Sequence, residues 1–107
     1  DTAKPDSIAL KYPMYPDGLE GVMQHVRAKV EYPQEAKLNM IQGVVIVKYI
    51  IKKNGTAKPS GFVQRVHPSL DYEAKRIIRR MDRWVPGYIG ENPVRVEYAL
   101  PINFLLR

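Results

Sequence analysis

The 107-residue chain contains no cysteine, which excludes a disulfide framework, thiolate catalysis and cysteine-ligated metal, and leaves oxidising and reducing compartments both open. It has two histidines, His25 and His67. Neither has metal-ligand or nucleophile partners at a motif spacing, so they read as a helix-surface and a turn histidine. No glycine-rich phosphate loop occurs, since "GYIG" and "NG" have the composition of turns. No apolar run approaches the roughly 18 residues of a membrane span. The start "DTAKPDSIALKYP" is neither a signal peptide nor an amphipathic anchor, so the chain is expected to be soluble or to have lost a membrane-attached part. Its acidic residues are interspersed with bases, and Glu31, Glu35, Asp71 and Glu73 read as solvated or helix-capping groups. The expectation is therefore no catalytic residue, no metal, no cofactor and no enzymatic activity.

What the chain has in excess is positive charge: 17 Lys and Arg against 11 Asp and Glu, a formal net charge of +6. An anionic partner would suit that balance, whether nucleic acid, lipid surface or acidic cell-wall polymer. The densest basic run, "AKRIIRRMDR", puts Lys75, Arg76, Arg79, Arg80 and Arg83 on two stripes flanking an apolar face. No aromatic residue is interleaved for base stacking, which argues against nucleic acid and for a solvated helix back.

Length allows one domain and one core. Residues 1–16 hold Pro5, Pro13 and Pro16 without apolar periodicity and read as a linker or extended lead-in. Residues 17–107 form the domain. Asp17 and Glu20 have capping-box spacing ahead of a first helix with Leu19, Val22, Met23, Val26 and Val30 at helical intervals. Pro33 opens a short helical turn with Ala36 and Met40 on one side, closed by Gly43. A β-branched run from Val44 to Ile51, an Asn54–Gly55 turn and a weaker strand around Phe62 to Val66 predict a hairpin. The first of these strands is apolar on both faces and belongs at the sheet centre; Pro59 and Gly61 mark the second as an edge or bulged strand.

"HPSLDYEAKRIIRRMDRW" predicts a second long helix capped by Ser69, with Leu70, Ala74, Ile77, Ile78 and Met81 buried. "VPGYIGENP" breaks the chain, and a terminal strand follows. The expected fold is α+β: a small antiparallel three-stranded sheet with two main helices on one face, in the order helix, short helix, strand, strand, helix, strand.

The terminal strand is the candidate site. From Val94 to Phe104 every second residue is apolar, and eleven residues at strand rise span about 36 Å, the width of a domain this size. Its neighbour offers about nine residues, so one end should overhang or run along an open edge. Pro101 lacks an N–H and should face the side with no ladder partner. By parity, Arg95, Glu97 and Ala99 turn their backbone groups to that free edge, while Val96, Tyr98 and Leu100 pair inward. Such an edge is a template for an added strand, and Pro101 with Arg95 and Glu97 can equally serve to protect it from aggregation. It is open to a partner peptide, to a second copy in a homodimer, or to residues 1–16.

From about residue 15 to 105 the sequence resembles the C-terminal domain of TonB-family energy transducers of the Bacteroidetes type. "EYPQEAKLNMIQGVVIVKYIIKKNG" carries the Tyr-Pro, helical-turn, Gly and strand-turn pattern. "HPSLDYEAKRIIRRMDRWVPG" carries the second helix and Trp-x-Pro-Gly signature, "NPVRVEYALPINF" the closing strand, and "YPDGLEGVMQHV" the leading helix of that subgroup.

The resemblance implies a periplasmic domain anchored to the inner membrane through a linker and helix, drawing on the proton gradient through an energising complex. It implies binding of the TonB-box peptide of an outer-membrane receptor as an added strand beside Val94, Arg95, Val96, Glu97, Tyr98, Ala99 and Leu100, with Tyr32 and Pro33 as a further receptor contact. Ahead of that Tyr-Pro pair, "VE" replaces the Gln-Pro of the enterobacterial members. Two alternatives remain: a polyanion-binding basic module, and the TonB-like domain of a membrane sensor protease.

Overall fold

The computed structural model describes residues 9–106. In chain order its elements are β1 (Leu10–Lys11), α1 (Gly18–Lys29), α2 (Gln34–Leu38), β2 (Gly43–Ile51), β3 (Ala57–Gln64), α3 (Pro68–Arg79), β4 (Gly87–Ile89), β5 (Asn92–Val94) and β6 (Val96–Phe104). The α+β class and the order of the main elements are as the sequence predicts. The addition is a second antiparallel sheet, β1-β4-β5, beside the main sheet β3-β2-β6.

The β-branched run is central because it can bury both faces. Its odd residues Val45, Val47, Tyr49 and Ile51 face the core, with Leu100, Ile102 and Phe104 of β6 beside them. Helix α3 closes the core with Leu70, Ala74, Ile77 and Ile78, an i, i+4, i+7, i+8 stripe. Each large side chain buried there contributes about 1.5–3 kcal/mol relative to exposure.

The eleven-residue terminal strand is divided. Val94 belongs to β5 and pairs with Gly87, Arg95 lies between the strands, and β6 starts at Val96. The nine residues of β6 match the nine of β2 from Gly43↔Phe104 to Ile51↔Val96, without an overhang. Alternation reports which face a residue takes, not which sheet it joins, so a strand that changes sheets looks continuous in sequence.

The lead-in joins the small sheet as well. Leu10 and Lys11 pair with Ile89 and Tyr88, Met14 bridges to Val85, and Tyr15 is buried. The rest of the linker reading, residues 1–8, lies outside the described residues.

Several local expectations are corrected. Asp17 has φ 64° and makes no side-chain cap, because a left-handed residue cannot aim its carboxylate at the first turn; Glu20 instead pairs with Arg27 at 3.0 Å. In α1 the buried residues are Gly21, Val22 and His25, while Leu19 is 77% and Met23 40% exposed. The cause lies at Gly21, where a Cβ would stand 1.8 Å from the Pro16 carbonyl oxygen. That close approach sets the helix rotation and turns Leu19 out of the core.

Helix α2 ends at Leu38 rather than near Gly43, with Met40 left-handed and exposed. Strand β3 begins at Ala57, earlier than expected, and carries two register shifts against β2. Helix α3 is capped by His67, whose Nδ1 accepts from the Ser69 amide at 3.2 Å, so Ser69 lies in the first turn; the helix ends before Arg83. Glu73 is not solvated but buried, accepting from the Glu31 amide at 2.7 Å and from Arg76.

Candidate functional site

Both edges of the main sheet, β3 and β6, lack a further strand among the described residues. They are not equivalent. Strand β3 has two register shifts and Pro59, which spoil a straight hydrogen-bonding row. Strand β6 is regular along its whole length.

The direction of the β6 backbone follows from its neighbour. The Lys52 amide donates to the Thr56 carbonyl at 2.9 Å, and Gln64 Nε2 donates to the Val44 carbonyl at 2.7 Å. The Val44 carbonyl of β2 and the Lys52 amide one residue past its end lie on the β3 side. Backbone groups alternate sides along a strand, so the even residues of β2 face β3 and the odd ones face β6. The β6 partners of those odd residues are Val96, Tyr98, Leu100, Ile102 and Phe104. Glu97, Ala99, Pro101 and Asn103 thus direct their backbone groups to the free edge. Pro101 is the one member of that row with no donor to lose.

The candidate residues therefore separate into two groups. Val96, Glu97, Tyr98, Ala99 and Leu100 lie on β6, whereas Val94 and Arg95 precede it. Tyr32 lies at the far end of the same strand: its ring meets Phe104 edge to face at 5.9 Å, and its hydroxyl donates to the Ile41 carbonyl. Tyr32 thus packs against the buried C-terminal end of β6, while Pro33 caps α2 next to it.

At the other end, sequence reasoning missed a groove of about 280 Å³ between α1 and β6. Leu19, Met14, Trp84 and Tyr98 line it. Trp84 packs on Tyr15 at 5.0 Å, Tyr98 at 5.9 Å and Tyr49 at 6.1 Å, and Trp84 Nε1 is buried without an acceptor among the described residues. Burial pushes the Tyr98, Tyr15 and Tyr49 phenols above their ordinary pKa. The groove's one sequence trace is Leu19, apolar yet surplus to the buried stripe. A Cβ at Gly55, φ 89°, would stand 2.1 Å from the Trp84 carbonyl oxygen, and the Trp84 amide donates to the Gly55 carbonyl at 2.8 Å. The hairpin turn thus fixes the tryptophan.

His25 and Arg76 have structural partners. His25 Nε2 donates to the Ile77 carbonyl at 2.8 Å, tying α1 to the end of α3; it is buried, not on a helix surface. Arg76 is engaged by Glu73 at 2.7 Å and by the Lys29 carbonyl at 2.7 Å, so the basic stripe of α3 loses its central member as a free cation. Hydrogen bonding to Glu73 holds the Arg76 guanidinium pKa up. A second basic group, Lys52, Lys53, Lys58 and Arg95, surrounds a shallow depression at the β2–β3 turn. Among the described residues, no group of three or more His, Asp or Glu could hold a metal ion, and no helix is long and apolar enough to cross a membrane.

The chain is similar in structure to the C-terminal domain of Helicobacter pylori TonB, solved in solution by NMR. The TM-score is 0.63 at 20% identity, over 83% of this chain and 80% of that one. At that identity the likeness establishes the fold. Comparison with curated proteins gives no match. The family of the Gram-negative bacterial TonB protein C-terminal region matches residues 28–106. Its domains are periplasmic, non-enzymatic and interact with outer-membrane TonB-dependent receptors. By that match over most of its length, the chain belongs to the TonB C-terminal family.

Proposed function

We propose that this domain grips the TonB-box peptide of an outer-membrane receptor as an added strand along β6 and passes to it energy drawn from the inner-membrane proton gradient. The observation that carries this reading is the regular β6 edge, unpaired among the described residues, with Pro101 on its outer row. Glu97, Ala99 and Asn103 supply donors and acceptors there, and Pro101 supplies an acceptor alone. An anchor in the inner membrane and an energising complex belong to the same proposal, as does Tyr32-Pro33 as a second receptor contact. The domain acts by mechanical coupling and performs no catalysis.

A peptide of about five residues buries less than a standard interface, so the isolated domain binds in the micromolar range, and confinement between two membranes raises the effective concentration. Weak, reversible capture suits repeated pulling.

A titration of backbone amide shifts tests the proposal, using short synthetic peptides from the periplasmic N-terminal segments of the source bacterium's outer-membrane receptors. The Glu97, Ala99 and Asn103 amides respond first. A response centred on β3, or none on β6, contradicts it. The polyanion alternative rests on Lys52, Lys53, Lys58 and Arg95. A steep linear fall of log affinity for a polyanion with log salt, together with sequence-insensitive peptide binding, would favour it.

A further inference from the structure

We infer that the groove between α1 and β6 is a specificity socket for one apolar side chain of the bound peptide, so that the leading helix reads the peptide's sequence. This rests on strand addition at β6 and deepens it.

In an added strand, a residue standing opposite Tyr98 or Leu100 points to the same face of the sheet as they do. That is the core face, where Leu100 is 7% exposed and Tyr98 packs on Tyr49 at 6.1 Å. An ordinary edge strand would let such a side chain run out into water. Here the α1 segment stands over the place it must go: Leu19, 77% exposed, and Met14, 61% exposed, line the groove with Trp84 and Tyr98. Ala99 lines it too, although its side chain belongs to the opposite face. The groove therefore opens onto the row of backbone groups that receives the peptide.

Size and chemistry select the occupant. About 280 Å³ falls below the roughly 300–1,000 Å³ of small-molecule clefts, and the lining is apolar and aromatic, which suits an aliphatic or small aromatic side chain. Peptide residues on the other face, opposite Glu97 and Ala99, meet exposed positions and no wall. The peptide is thus read with period two: apolar toward α1, tolerant on the alternate face. The family match begins at residue 28, after most of α1, so the wall of the socket lies outside the portion this chain shares with the family model.

The test is a double-mutant cycle on the peptide that moves the β6 amides. Each peptide residue is changed to alanine in turn, and the protein carries Leu19→Asp, an exposed site whose change leaves the fold intact by amide spectrum. One peptide alanine costs about tenfold or more in Kd, the worth of burying one aliphatic side chain. Leu19→Asp costs a similar factor with the parent peptide and under twofold with that alanine peptide. Fluorescence of Trp84, the sole tryptophan, shifts with the parent peptide and much less with the alanine form.

Uniform alanine effects along the peptide, or a Leu19→Asp loss that is the same for both peptides, overturn the socket. Responding Glu97, Ala99 and Asn103 amides would then leave strand addition standing. If no peptide moves those amides, strand addition fails and the socket with it.

Discussion

Ser60 Oγ donates to Glu97 Oε2 at 2.9 Å, reaching from β3 to β6 across the intervening strand. The carboxylate is thus held over the outer face of the sheet, while the Glu97 backbone points to the free edge. Side chain and backbone of one residue have separate duties. Glu97→Ala changes stability by under about 0.5 kcal/mol, as exposed contacts do, and leaves peptide affinity within about twofold. Urea unfolding and a peptide titration check both.

His25 is the joint between α1 and α3. Its Nε2–H donates to the Ile77 carbonyl in the last turn of α3, beside the longer bond from the Arg80 amide at 3.3 Å. His25→Ala removes one of the two donors to that carbonyl, the Arg80 amide at 3.3 Å remaining, and costs about 0.5–1.5 kcal/mol in urea unfolding. It also loosens the wall formed by α1, so peptide affinity falls more than for Glu97→Ala.

Glu73 holds the connection between α1 and α2 to α3, accepting the Glu31 amide while bound to Arg76. Its side chain is 7% exposed and that of Arg76 is 22%. Glu73→Ala leaves the partly buried Arg76 with the Lys29 carbonyl and Glu31 at 3.9 Å, strands the Glu31 amide, and costs about 1–3 kcal/mol. Chemical denaturation measures it; a loss under about 0.5 kcal/mol would mean that Arg76 finds another partner.

The phenols of Tyr15, Tyr49 and Tyr98 have folded pKa values raised by burial above the unfolded value of about 10. The unfolded chain releases these protons more readily. Their stabilising contribution is therefore complete below about pH 10 and is lost as pH rises through the folded values. The urea midpoint falls above about pH 10, and Tyr98→Phe makes that fall shallower.

The sequence made the main sheet legible because β2, with apolar residues on both faces, can only be central, and because α3 repeats its apolar residues at the helical period. Pro101 revealed the free side of β6 for the same reason: a missing donor is visible in the sequence. What was hidden depends on long-range contacts. The contact of Gly21 with Pro16 rotates α1 and exposes Leu19, a pairing with Gly87 takes Val94 out of β6, and His25 meets a carbonyl 52 residues away. None of these leaves a local period, so the groove beside the edge could not be read from the chain alone.

Ala99→Pro tests strand addition most directly. Ala99 stands two residues before Pro101 on the same outward row, so a second proline removes one edge donor without touching the ladder to β2. The Ala99→Pro protein is expected to fold with an unchanged pattern of core amide signals and to bind the peptide at least tenfold more weakly in an amide-shift titration. A folded Ala99→Pro variant that binds the peptide as tightly as the parent would contradict strand addition.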